Sequence, residues 1–178
     1  MQDFNKDLEF SLGERERIDC DIIKKCILNC VNVIKTDKYL DKKGIDYVAT
    51  LDGGAKVNID AKARRKGAVK YGCEPPLALE IWSVMPNNSS KGKPGWTCNR
   101  ETDVDMILYT FDKSECDKFY LIPYQNLRIA FQKHCKDWMK IYKPRIQHNA
   151  GWNSMAIFVP ANIVLQAVCE SMEGVYNR

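Results

Sequence analysis

Two aspartates and a lysine make up the part of this sequence best equipped for chemistry. Asp46 and Asp60 are separated by thirteen residues, and Lys62 follows Asp60 by two. Between them lies a glycine turn, Asp52-Gly53-Gly54, flanked by β-like runs over 45–51 and 56–64, which reads as a hairpin. If the turn is three residues long, Leu51 pairs with Ala55 and Asp46 comes opposite Asp60. Side chains alternate across a strand, so one face then carries Asp46, Asp60, Lys62 and Arg64, and the other Ile45, Tyr47, Ala49, Leu51, Ile59 and Ala61. A two-residue turn would put the aspartates on opposite faces. Held side by side, two carboxylates repel each other, and a divalent cation relieves the repulsion. Mg²⁺ suits one or two carboxylates plus waters, binds phosphate oxygens and lowers the pKa of a bound water. A lysine on the same face can position that water or offset charge in the transition state. The combination is what phosphodiester hydrolysis requires. The same residues also fit a plain surface ion cluster.

The elements around the hairpin follow from periodicity. Ser11 and Glu14 have the spacing of a capping box, and Ile18, Ile22, Cys26, Cys30 and Ile34 recur at helical intervals, joined by Ile23, Ile27 and Val31. This predicts an amphipathic helix of about 20 residues against the apolar hairpin face. Asp19 and Glu16 lie close to its apolar stripe. Strands are expected over 77–85, 106–111, 118–122 and 154–159, and helices after Pro123 and Pro160. The Asn-, Ser-, Gly- and Lys-rich stretch 86–102 reads as a mobile surface loop. The class is α/β or α+β, with one domain spanning 1–178.

The motif Gly44-Ile45-Asp46 … Ile59-Asp60-Ala61-Lys62 resembles the PD-(D/E)XK nuclease superfamily. Thr102–Tyr109 with its aspartates and the Phe119-Tyr120-Leu121-Ile122-Pro123 strand resemble restriction-type and phage-borne members, so the likeness runs over roughly 14–140. The resemblance implies a restriction-endonuclease-like mixed β-sheet with an N-terminal helix and later helices packed on it. It also implies a Mg²⁺- or Mn²⁺-dependent nuclease hydrolysing DNA. Asp46 and Asp60 would hold the metal with the Ala61 carbonyl, Lys62 would serve the water, and Glu16 or Glu80 would complete the shell, with Asp19 second to Glu16. The alternative is an inactive nuclease-like factor of a phage or mobile element that binds nucleic acid or protein.

Composition is compatible with both. The net charge of +4 admits a nucleic-acid partner without demanding one. Arg64, Arg65, Lys66 and Lys70 could meet phosphates, and Trp96, near Lys91 and Lys93, could stack on an unpaired base. There is no P-loop and no Gly-x-Gly-x-x-Gly, which disfavours nucleotide-driven and dinucleotide enzymes. The eight cysteines lack Cys-x-x-Cys spacing, so reduced, buried thiols are expected. No apolar run spans a bilayer and the first residues do not read as a secretory signal, so a cytoplasmic protein is expected. Its oligomeric state is open, a homodimer included.

Overall fold

A computed structural model describes residues 4–64, 67, 69, 73–87 and 89–176, with the backbone alone over 4–14 and 174–176. The chain is α+β. Its elements in order are α1 (Phe4–Cys26), β1 (Cys30–Lys35), α2 (Lys38–Asp41), β2 (Tyr47–Leu51), β3 (Lys56–Arg64), β4 (Pro76–Val84), β5 (Lys93–Pro94), β6 (Met106–Phe111), β7 (Phe119–Pro123), α3 (Tyr124–Tyr142), β8 (Arg145–His148), β9 (Asn153–Pro160) and α4 (Ala161–Tyr176). The strands divide between two sheets, ordered β1-β2-β3-β6-β7 and β5-β4-β9-β8, rather than extending one.

The chain divides into two compact units. The first comprises the residues up to Ala63, Asp103–Thr110 and Phe119–Ile122. Its core is Ile23 of α1 with Tyr47, Ala49, Ile59 and Leu108 of the sheet, flanked by Cys20, Ile22 and Ile27. The apolar hairpin face therefore rests on α1, because alternation along β2 and β3 gathers these side chains on one side. The hairpin turn is the three-residue form. Tyr47 pairs with Ile59 and Thr50 with Lys56, and the Leu51 N–H donates to the Ala55 carbonyl at 2.8 Å. Gly53 and Gly54, at φ 92° and 86°, supply the left-handed backbone this turn needs, which costs any other residue roughly 1–2 kcal/mol.

Two expectations about α1 need correction. The helix starts at Phe4, so Ser11 and Glu14 lie inside it and do not cap its start. It also ends at Cys26, and Cys30, Val31 and Ile34 belong to the strand β1. Asn29 takes a left-handed φ of 59° that stops the helix, and the β-branched Val31, Val33 and Ile34 favour the extended chain beyond it.

In the second unit, Leu77 and Leu79 of β4 and Ile157 and Val159 of β9 are fully buried. Helices α3 and α4 pack on each other and on β9, contributing Leu127, Ala130 and Val164 to the apolar interior. Within the stretch expected as a mobile loop, residues 95–97 are anchored to β4. Gly95 comes so close to the Glu80 carbonyl that a Cβ would sit 2.3 Å from it, and the Thr97 hydroxyl donates to that carbonyl at 2.6 Å. The eight cysteines are free thiols, but none is fully buried and Cys26, Cys73 and Cys169 are exposed. No helix among the described residues is long and apolar enough to cross a membrane.

Candidate metal centre on the hairpin

Asp46 lies just before β2, where the pairing falls one residue out of step. Its N–H donates to the Ile59 carbonyl at 2.9 Å, the residue that Tyr47 faces in the regular ladder. Thr36 fixes the other side of this backbone, since its N–H donates to the Asp46 carbonyl at 2.9 Å and its hydroxyl donates to the Ile45 carbonyl. The Asp46 carboxylate then crosses to β3, where Oδ2 accepts the Ala61 N–H at 2.7 Å. That bond sets it beside Asp60, within hydrogen-bonding reach of its carboxylate.

Asp60 is buried, with 5% of its surface exposed, and Lys62 Nζ donates to its Oδ1 at 2.6 Å. Burial pushes the Asp60 carboxyl up to about 6. The Lys62 ammonium pulls it down, and the neighbouring Asp46 adds to the rise. Desolvation thus outweighs the ion pair, as it does for charges taken out of water. The result is a carboxylate that binds a proton more readily than usual and gains from added positive charge.

A third carboxylate approaches from α1. A cavity of about 190 Å³ is lined by Arg15, Glu16, Asp19, Lys35, Asp46, Tyr47 and Ala61. Asp19 is nearly inaccessible and accepts the Tyr47 hydroxyl at 3.1 Å on Oδ2. Burial raises its pKa, the Tyr47 hydrogen bond and Arg15 lower it, and Asp46 raises it further. Burial and the Asp19 carboxylate both hold the Tyr47 phenol protonated, so it remains a donor. Glu16 lines the same cavity from a more exposed position, paired with Lys35 at 3.3 Å. Asp46 also borders a second hollow of about 340 Å³, with Thr36, Asp37, Lys38 and Asp41.

The structure therefore brings Asp46, Asp60, Ala61 and Lys62 together, with Glu16 at the cavity edge. Glu80 belongs to the second unit, where its Oε2 accepts the Ser83 hydroxyl at 2.6 Å and the Trp96 N–H at 3.3 Å. Trp96 is half-buried, and its carbonyl accepts the Tyr124 hydroxyl at 2.5 Å, so its backbone anchors the loop. Arg65, Lys66 and Lys70 lie outside the described residues. Asp105 has a local task, since its carboxylate accepts the Asn58 N–H at 2.8 Å and ties the chain before β6 to β3.

The donor set fits a hard divalent cation. Two adjacent carboxylate oxygens are what Mg²⁺ or Mn²⁺ takes when waters or substrate phosphates fill its remaining positions. Among the described residues no three acid, histidine or cysteine side chains converge on one point, so the fit is to two carboxylates and not to an all-protein cage. The chain matches no family model, no curated protein and no solved structure.

The sequence alone favours Glu16 over Asp19 and assigns Tyr47 only to the core. Tyr47→Phe should therefore cost stability. It leaves the buried Asp19 without its donor, a loss of about 1–3 kcal/mol. Asp19 then loses its largest pKa-lowering partner and rises further. The penalty should grow as pH rises, because charging Asp19 becomes harder in the folded state than in the unfolded one. Denaturant melts of both proteins across acidic and neutral pH test this. A pH-independent difference would contradict it.

Proposed function

We propose that this protein is a metal-dependent nuclease of the PD-(D/E)XK type that hydrolyses DNA phosphodiester bonds. One observation carries the reading: Asp46 and Asp60 stand side by side, and Lys62 is bonded to Asp60 at 2.6 Å. Asp46 and Asp60 would hold Mg²⁺ or Mn²⁺. Such an ion, when bound, neutralises phosphate charge and lowers the pKa of a coordinated water. The Ala61 N–H fixes the Asp46 carboxylate in place, so its orientation needs no adjustment on binding. Lys62 supplies a positive charge within hydrogen-bonding distance of the site, where it can meet the attacking water or the developing phosphorane charge. Asp19 and Glu16 add negative potential on the α1 side.

A second reading has its own support. Lys62 already offsets the Asp60 charge, and no third ligand converges among the described residues. A nuclease-like protein that only binds nucleic acid or protein would need no more.

Wild-type protein separates the two. The nuclease reading expects Mn²⁺ to raise the melting temperature and to support nicking of supercoiled plasmid, with EDTA abolishing both. A ligand present at a hundred times its Kd stabilises by about 2.7 kcal/mol, a shift easily read on a chain of this size. Protein showing neither effect is the binder.

A further inference from the structure

The half-buried face of the second sheet carries an arrangement the hairpin does not account for. Phe158 on β9 points away from the buried Ile157 and Val159. The Arg64 guanidinium carbon lies 4.8 Å from its ring centroid and that of Arg145 lies 5.0 Å away. Arg64 ends β3, and Arg145 opens β8, where it pairs with Ala156 two residues before Phe158. Two guanidinium groups thus share one aromatic ring.

Like charges do not gather without compensation. The ring attracts each cation by roughly 0.5–1 kcal/mol at an exposed site, which fixes their positions but leaves their charge standing. Among the described residues neither arginine forms an ion pair with a carboxylate. The Arg64 Nε–H is itself buried and has no acceptor among the described residues. Glu80 is on the same face by register, opposite Ala156, but its carboxylate is engaged by Ser83 and Trp96. A guanidinium held over a ring keeps a planar N–H fork, the group that takes two oxygens of one anion.

We infer that Arg64 and Arg145, braced on Phe158, clamp a phosphodiester of a bound nucleic-acid strand. The inference rests on the nucleic-acid part of the function proposed above. It adds a gripping site in the second unit, and it enlists Arg145, which lies far from the basic segment in sequence. A phosphodiester suits the clamp because it carries one negative charge and two free oxygens. Arg64 follows Lys62 by two residues along β3.

The test is fluorescence anisotropy of a labelled DNA oligonucleotide with the full-length protein in EDTA, over a salt series. Arg145→Ala removes an exposed side chain and should leave the fold intact. It should weaken binding and flatten the log–log salt slope by about 0.7–0.9, the contribution of one phosphate contact. Arg64→Ala should do the same. Arg145→Lys should keep most of the slope yet bind less tightly, because the fork is lost. Lys133→Ala, an exposed cation on α3, should leave the slope unchanged. A wild-type slope in Arg145→Ala overturns the clamp, and so does a wild-type protein that does not bind DNA. The hydrolytic reading fails separately. Arginine-dependent binding without Mn²⁺-dependent nicking keeps the clamp and discards hydrolysis, and nicking with an unchanged slope does the reverse.

Discussion

Asp60→Asn should abolish Mn²⁺-dependent plasmid nicking while making the metal-free protein more stable at neutral pH. Both outcomes come from one carboxylate. Burial holds Asp60 up at about 6 against an ordinary value of 3.8, so ionising it in the folded protein costs free energy. The difference corresponds to at most about 3 kcal/mol. A group whose pKa is raised on folding adds stability that is complete below its unfolded pKa and is lost as pH rises through the folded one. Metal-free wild type should therefore lose stability between about pH 4 and about pH 6, with Asp19 acting in the same direction. Asparagine keeps the shape, cannot ionise and removes most of that slope. At about 2–4 °C per kcal/mol for a chain of this size, the variant should melt several degrees higher in EDTA at neutral pH. In Mn²⁺ the order should reverse, because only wild type gains from binding. Melting curves with EDTA or Mn²⁺ across this pH range give the answer, read beside the nicking assay. Nicking that survives Asp60→Asn would place the catalytic centre elsewhere. A variant less stable than wild type in EDTA would mean that the Lys62 ion pair outweighs desolvation.

The hairpin was legible in the sequence because its turn is chemically explicit. Two glycines able to take positive φ follow Asp52, and the three-residue turn they permit fixes the alternation of every side chain on β2 and β3. The boundary of α1 was not legible by spacing. Residues 26, 30 and 34 fit a helical stripe, but 30–34 also fit a strand, and the β-branched content of Val31, Val33 and Ile34 was the better guide. Choosing between Glu16 and Asp19 depended on the rotation of α1 about its own axis, which a sequence does not state. The cue was Asp19 itself, an acid adjoining the apolar residues Ile18, Ile22 and Ile23 with a tyrosine on the facing strand. Strand β8 gave no signal at all. All four of its residues are exposed, so no alternation marks it or Arg145.

If the protein hydrolyses DNA as proposed, Lys62→Met should cost roughly 10²–10³-fold in turnover, the usual loss when one group stabilising transition-state charge is removed. The structure adds a second consequence. Lys62 is the first of the influences that lower the Asp60 pKa, so without it burial and Asp46 act unopposed and the carboxyl rises further. A proton then competes with the metal over more of the pH range. The pH at which Mn²⁺ first raises the melting temperature should move upward in Lys62→Met. In EDTA the loss of stability with rising pH should extend beyond that of wild type, in keeping with the same linkage. Lys62→Arg keeps the charge and changes the donor geometry. It should hold the Mn²⁺ threshold near the wild-type pH while recovering only part of the turnover, because a broad planar fork does not replace a compact ammonium. The two variants separate the roles of the lysine: the threshold reports its charge at Asp60, and the turnover reports its position toward the reacting phosphate. If Lys62→Met nicks plasmid at the wild-type rate but shows the shifted threshold, Lys62 serves only to keep Asp60 ionised. If neither quantity moves, the 2.6 Å contact between Lys62 and Asp60 has no part in the chemistry.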